Sequence, residues 1–448
     1  MSPTLNLRHA LSHIAIAAAL TTAGWLPASH AAETTPYQVG QWLPSDQQRL
    51  EDWVAEMVAG ANSAQPLQPV VQEMADLIHN DPVLYMQFQQ MFDQLPDQAQ
   101  FKQDPTGTPQ IQNVEQMLQV INHVLTRAPE FNSTGLVGFP INAVINWPMG
   151  TPAGQQVFLN DKLNRQLKKI LQAWGRFLQS PASAAVLNDH PTRGWFGRDA
   201  MAAMPNFHED FISDPKQAHH GFKSWDDFFT RQYRPGRRPV AAPEDPNVIA
   251  NACESAPYRL STGVKQHDAF WVKAQPYSLT HILGDETKAQ AFAGGTIYQA
   301  FLSALSYHRW HSPVSGTIVD TQIIDGSYFA ASPAAGFDPA SPNESQGYIP
   351  QVASRGIVYI QADNPAIGLM AVVFVGMSEV SSNEFTVRKG QRVNKGDELG
   401  VFHFGGSTHL LVFRPGVELD FDLRGQTPGL ETHNIPVRSR IATVRVKP

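Results

Sequence analysis

One bond in this sequence is placed to react with its own neighbour: the peptide between Gly406 and Ser407, inside Gly405-Gly406-Ser407-Thr408. It follows a run from Val387 to Phe404 patterned for β structure, and it precedes the apolar Leu410-Leu411-Val412-Phe413. A serine hydroxyl held there can attack the preceding carbonyl. The acyl group shifts from nitrogen to oxygen, and β-elimination of the resulting ester frees the upstream chain. A pyruvoyl group, a built-in ketone, is left at position 407. Glycine before the serine suits this chemistry because it tolerates strained backbone torsions. A serine hydroxyl also needs a base to take its proton. The competing reading of the tetrapeptide is an ordinary loop, and other segments must decide between the two.

Upstream stands Tyr307-His308-Arg309-Trp310-His311-Ser312-Pro313. Together with Gly406-Ser407 it resembles the phosphatidylserine decarboxylase family, whose pattern is Y-H-R-x-H-x-P followed later by F-G-S-T. Phe228-Phe229-Thr230-Arg231, running on to Arg234-Pro235-Gly236-Arg237-Arg238-Pro239, is similar to that family's opening motif. Lys273-Ala274-Gln275-Pro276-Tyr277-Ser278-Leu279 is similar to its K-G-x-x-Y-S-L segment, and Phe292-Ala293-Gly294-Gly295 to its F-x-G-G turn. The resemblance covers roughly residues 205–448, in the family's order.

The resemblance implies a self-processing, pyruvoyl-dependent decarboxylase. Ser407 would be the nucleophile that cuts the chain after Gly406, then the source of the pyruvoyl cofactor, with the two fragments staying associated. In that family the ketone forms a Schiff base with a primary amine and takes up the electrons left when CO2 departs. His311 would be the base for cleavage, oriented by a carboxylate as in a Ser-His-Asp arrangement. The family's aspartate lies in a P-A-D-G-like segment. Here Ala252-Cys253-Glu254-Ser255 puts Glu254 at that position and Ser255 at the glycine, with Asp268 the nearest downstream alternative. His308 is expected to return the proton, since imidazole serves as both acid and base. Lys273, Tyr277 and Ser278 are expected to shape the substrate pocket, and Tyr307 and Arg309 to be structural. Ser306 stands where the family usually has an acid, which alters local charge. Phe139-Pro140 through Trp147-Pro148-Met149-Gly150-Thr151 resembles an N-terminal extension on certain related proteins, some of which, in fungi, act on free aromatic L-amino acids. The substrate is therefore expected to be a free amino acid or phosphatidylserine.

These groups need a frame, and the patterning supplies an α+β one: a helical N-terminal domain over 48–180, a linker over 181–208, and a mainly antiparallel β decarboxylase domain over 209–448. Gln48 to Leu95 shows helical spacing, with Trp53, Val54, Met57 and Val58, then Val71, Met74, Ala75 and Ile78. Asp81-Pro82 predicts a fresh helix start. Val114–Leu125 and Asp161–Leu178 are further helices, and 146–152 reads as a rigid loop. After residue 208, short β-branched runs alternate with turns: 296–300, 316–323, 357–361, 371–375, 401–404, 410–413 and 440–446.

Composition limits the alternatives. The formal net charge of −7 argues against a nucleic-acid partner. The single cysteine, Cys253, precludes an internal disulfide, so the core must hold the fold. Arg8, the apolar 14–26 and Ser29-His30-Ala31 read as a signal peptide over 1–31, hence a periplasmic or secreted protein, with an uncleaved N-terminal anchor as the competing reading. No later stretch is long and apolar enough to span a bilayer, and no basic amphipathic helix indicates membrane contact. His219-His220 and His208-Glu209-Asp210 lack a closed ligand set, so no metal site is expected. Two other readings compete. Val387–Gly400 is similar to the hammerhead strands of biotinyl and lipoyl carriers, though without a lysine at a hairpin tip. A secreted serine hydrolase could use Ser407 and His311, though without a G-x-S-x-G elbow.

Overall fold

The computed structural model describes residues 47–61, 65–95, 111–132, 140–268, 276–303, 305–330, 345–379 and 382–445. The expected signal segment 1–31 and Lys273 lie outside them.

The described chain begins with α1 (Gln47–Gly60), α2 (Pro69–Asn80), α3 (Pro82–Asp93), α4 (Val114–Val124), α5 (Pro140–Met149), α6 (Pro152–Phe158) and α7 (Asp161–Leu178). Local chemistry sets their starts. Asp81 caps α3 by accepting from the Val83 and Leu84 amides at 3.2 Å each, with Pro82 in the first turn. Asn113 accepts from Gln116 at 2.8 Å at the head of α4, and Asn160 from Lys162 at 2.9 Å at the head of α7. In α7, Leu163, Leu167, Ile170, Leu171, Trp174 and Leu178 recur at helical spacing and are buried. They share one core with Val71, Met74 and Ile78 of α2 and with Phe88 of α3.

Two stretches differ from the sequence reading. Residues 146–152 are mostly helical. Pro148 sits in the last turn of α5, where its missing amide removes one bond near an end. Thr151 then opens α6, accepting from Gly154 at 2.9 Å ahead of Pro152. Residues 181–208 are packed rather than tethering. They carry α8 (Arg198–Ala203), and Trp195 and Phe196 are buried. The chain continues through α9 (Phe207–Asp210) and α10 (Trp225–Phe229). Trp195 meets Phe228 at 5.1 Å between ring centroids and Phe196 meets Phe207 at 5.7 Å. Large aromatic faces favour burial however rich the surrounding stretch is in proline and alanine.

Beyond α10 come β1 (Val248–Ala250), β2 (Ala256–Thr262), β3 (Thr296–Leu302), β4 (Arg309–His311), β5 (Gly316–Ile324), β6 (Arg355–Ala362), β7 (Leu369–Met377), β8 (Asn383–Phe385), β9 (Arg392–Val393), β10 (Glu398–Phe402), β11 (Gly406–Phe413), β12 (Leu419–Phe421) and β13 (Arg440–Val444). Short helices α11 (Leu279–Leu283), α12 (Glu286–Phe292) and α13 (Ile349–Val352) intervene. The main sheet runs β2-β3-β11-β7-β6-β5-β9, beside two small sheets, β4-β10-β8 and β1-β13-β12. Neighbouring strands pair antiparallel throughout. The architecture is thus α+β, as the sequence predicts.

β11 lies inside the main sheet, between β3 and β7. Its side chains alternate between two cores, with Leu411 and Phe413 in one and Leu410 and Val412 in the other. Gly295, in the F-x-G-G turn, lets β3 start against the end of β11. A Cβ there would stand 1.9 Å from the Phe413 carbonyl oxygen. The helical core reaches this strand as well, because Trp174 of α7 stands edge-on to Phe404 at 4.4 Å. No helix among the described residues is long and apolar enough to cross a membrane.

Candidate active site

Gly405 has φ 132°, a torsion that suits glycine alone, and it feeds Gly406 and Ser407 into the first two positions of β11. Gly406 pairs with Met377, and Ser407 with Gly376 and Leu302. Ser407 is fully buried and its Oγ has no hydrogen-bond partner. Leaving a buried hydroxyl unsatisfied costs ~1–3 kcal/mol, so a fold that keeps one invites an explanation beyond stability.

Thr408 shows the contrast. Its Oγ1 donates to the Ala300 carbonyl at 2.9 Å and accepts from Gln299 Nε2 at 3.1 Å. Gln299 also accepts from the Tyr277 hydroxyl and donates to the Gln346 carbonyl at 2.8 Å. Tyr277 is therefore linked to β11 on the face opposite the Ser407 side chain. Ser278 is buried nearby, with its Oγ accepting from the Asp268 amide at 2.7 Å and its own amide donating to Gln351 at 3.2 Å. These two expected pocket residues are engaged with the protein itself.

His308 precedes β4. Its carbonyl accepts from the Phe402 amide at 3.0 Å, and its ring stacks on Phe229 at 3.9 Å. Phe229 in turn packs on Phe404 at 5.7 Å, which brings this histidine to the approach of β11. Neither ring nitrogen has a hydrogen-bond partner. Burial, and then the charge of Arg231, hold its pKa well below the ordinary value, so the imidazole is neutral. Arg231 is buried and donates to the carbonyls of Leu305 at 2.6 Å and Ser306 at 3.1 Å, pinning the turn before His308.

His311 lies on β4. Its Nε2 accepts from the Tyr307 hydroxyl at 3.0 Å, and its Nδ1 faces the Gly396 carbonyl at 2.9 Å. The Arg438 guanidinium stands over the same edge, 3.1 Å from that carbonyl oxygen and 3.1 Å from Nδ1. Burial and Arg438 lower its pKa to about 3. His311 is thus not on Ser407.

Glu254 does not orient His311, contrary to expectation. Its carboxylate takes Arg238 at 2.8 and 3.0 Å and accepts from the Val437 amide at 2.8 Å. The longer side chain carries the charge to an arginine, and the Gly396 carbonyl holds the imidazole edge instead. Asp268, the alternative, bonds Lys265 at 3.3 Å. Arg309 is structural: it pairs with Glu398 at 2.9 Å and donates to the Thr230 carbonyl at 2.8 Å. His208 and His220, which lack a closed ligand set in the sequence, are partly buried. They meet at 3.2 Å, and His220 stacks on Phe196 at 3.7 Å.

Several residues escaped the sequence reading. Arg438 is one, and Arg231, part of the opening motif but given no role, is another. His409 is a third, buried two residues beyond Ser407 on the same face, with neither ring nitrogen partnered and a pKa lowered to about 3 by burial. Glu379, just past β7, is a fourth. It is 3% exposed, and its Oε1 accepts from the Asn142 amide in the first turn of α5 at 2.8 Å. Burial pushes its pKa up to about 8 against the pull of backbone amides. An acid closing the apolar run from Ala371 was the visible signal.

Known proteins share this arrangement of segments. Residues 68–204 match one family model described as phosphatidylserine decarboxylase, and residues 225–428 match a second with that description. The protein is a carboxy-lyase, an enzyme that releases CO2. The chain belongs to the phosphatidylserine decarboxylase family. It is 43% identical over 302 residues to the decarboxylase iboD of Amanita muscaria, covering 63% of this chain and 86% of that one. It is 34% identical over 415 residues to the L-tryptophan decarboxylase of Psilocybe cubensis, covering 87% and 91%. To the phosphatidylserine decarboxylase proenzyme 3 of Schizosaccharomyces pombe it is 34% identical over 214 residues, covering 47% and 21%.

Proposed function

We propose that this decarboxylase cuts itself between Gly406 and Ser407, carries a pyruvoyl group at position 407, and acts on a free aromatic L-amino acid. The observation that carries the substrate reading is the reach of the similarity. The match to the L-tryptophan decarboxylase of Psilocybe cubensis runs through 87% of the chain, helical region included, whereas that to the proenzyme of Schizosaccharomyces pombe covers 47%. Phosphatidylserine is the second reading, favoured by the descriptions of the two family models matched over residues 68–204 and 225–428.

Position 407 suits the group. The unpartnered, buried Ser407 Oγ follows two glycines, the first at φ 132°. A pyruvoyl ketone would condense with the substrate amine and accept the electrons that CO2 leaves behind. His311 is read as the base that starts cleavage, with the Tyr307 hydroxyl on its Nε2 as the nearest proton carrier. Tyr277 and Ser278 support the pocket through Gln299 and Gln351. His308, neutral and without a partner, is read as a group facing the substrate. Residues 1–31 are read as a removable export signal, which an N-terminus at Ala32 in protein from the periplasm or medium would bear out. The deciding experiment offers purified protein L-tryptophan, L-tyrosine, L-phenylalanine and phosphatidylserine micelles and measures CO2. Release from an aromatic amino acid is expected, and release from phosphatidylserine alone refutes the substrate reading.

A further inference from the structure

Around the head of β11, Ser407 Oγ, both ring nitrogens of His308 and Oε2 of Glu379 are buried without hydrogen-bond partners. Decarboxylation needs one of the groups near the reacting centre to supply a proton, because the carbon that loses CO2 must gain hydrogen. Serine is consumed in making the ketone. His308 is held neutral by burial and Arg231, and a neutral imidazole is a weak acid. Glu379 is different. Its Oε1 is fixed by the Asn142 amide at 2.8 Å, which leaves Oε2 as the free oxygen. Ser378, with φ 55°, breaks β7 just before it, and the Ser378 hydroxyl donates to Asn142 Oδ1 at 3.1 Å. Register brings this turn to the cleavage bond, since Met377 pairs with Gly406 and Gly376 with Ser407.

We propose that Glu379 is a catalytic residue, the acid that returns a proton to the α-carbon of the substrate once CO2 has left. This rests on the pyruvoyl reading above. The bond from the α-carbon to the carboxylate breaks, and its electron pair stays behind. The O–H bond of Glu379 then breaks as a C–H bond forms at the α-carbon. The carboxylate left behind takes a proton from solvent, which is the one proton that decarboxylation consumes overall. Burial keeps the acid protonated at neutral pH, its pKa being pushed up to about 8. The helical region then takes part in the chemistry, since the first turn of α5 holds the other oxygen of the acid.

The test compares wild type, Glu379→Gln and His308→Gln. Glutamine keeps the acceptor for Asn142 but cannot give up an acid proton. Intact mass should show the 407–448 fragment in Glu379→Gln as in wild type, with CO2 release falling ~10²–10⁴-fold. During turnover with L-tryptophan, or with phosphatidylserine micelles if tryptophan is inert, protonation should shift to the wrong carbon. The N-terminal ketone of the 407–448 fragment would then become alanine, and an aldehyde would appear. Infrared spectra at pH 7 should show a protonated-carboxyl band in wild type that Glu379→Gln lacks. Glu379→Asp, which keeps an acid one methylene short, should retain such a band with an intermediate alanine fraction, and it serves if the glutamine variant does not fold. Unchanged CO2 release without alanine, absence of the band, or alanine formed only in His308→Gln overturns the proposal. An uncut wild-type chain would instead sink the pyruvoyl reading on which it rests.

Discussion

Removing the Ser407 hydroxyl should stabilise the uncut chain. Oγ is buried and has no partner, so it bears a desolvation cost without a compensating bond. Ser407→Ala removes that cost and leaves a methyl in a site walled by Leu302 and Gly376 on the neighbouring strands. The loss of one oxygen's worth of packing is small, so the balance should be ~1–2 kcal/mol in favour of alanine. Wild type cannot be the reference, because it is expected to be cut. The comparison is therefore His311→Ala against His311→Ala with Ser407→Ala, both uncut by mass. Urea midpoints at constant m read the difference. As a control, Thr408→Val removes a hydroxyl bonded to Ala300 and Gln299 and should destabilise by ~1–3 kcal/mol. If Ser407→Ala destabilised to a similar degree, the hydroxyl would have a partner and the case for a poised nucleophile would fail.

Ser407→Ala should also remain one chain without CO2 release, checked by gel and mass. His311→Ala should block cutting, whereas His308→Ala should cut normally and, since His308 faces the substrate without supplying the proton, slow decarboxylation less than Glu379→Gln does; the reverse pattern of cutting would exchange the roles of the two histidines. Glu254→Gln should act mainly on stability, costing on the order of 1–3 kcal/mol through the lost pair with Arg238. Abolished cutting at normal stability would instead restore Glu254 as a partner of His311. His403 lies between Asp226 at 3.0 Å and Glu384 at 2.9 Å; burial opposes its charge, but the two carboxylates outweigh it and raise its pKa. Its contribution to stability is full below the ordinary histidine pKa of ~6.5 and is lost as pH rises through the raised value, so His403→Gln should flatten that decline in urea midpoints.

The frame was more legible than the site. Asp81-Pro82, the α7 stripe and the runs that became β3, β5, β6, β7 and β11 all announce themselves through spacing, because periodicity reflects which face is buried. Short strands such as β1, β4 and β12 do not, since three residues carry no period. The candidate serine was legible because the self-cleavage proposed for it needs a local pair, Gly406-Ser407. The orienting acid was not, because a position in a motif says nothing of side-chain reach. One methylene and the presence of Arg238 were enough to take Glu254 away from His311. Arg438 was invisible, and Glu379 showed only as an acid closing an apolar run, for a related reason: their partners are carbonyls and amides far along the chain, and backbone groups look alike in every sequence.

The contacts between the helical region and β11 bear on why family members of this kind carry both parts. Trp174 of α7 presses on Phe404, and Trp225 and Phe229 of α10 close on the same ring at 4.7 and 5.7 Å. Phe404 stands directly before the glycine at φ 132°. A torsion of that kind persists only when its surroundings hold it against relaxation. Across the strand, the first turn of α5 engages the carboxyl of Glu379 and the hydroxyl of Ser378, two residues in the turn that follows the partner of Gly406. The Gly406–Ser407 bond is therefore clamped on one side by aromatic packing and on the other by a helix end, and both clamps draw on helices that precede the strands. A chain that kept only residues 209–448 would lose Trp174 from the packing around Phe404 and the turn of α5 that holds Glu379.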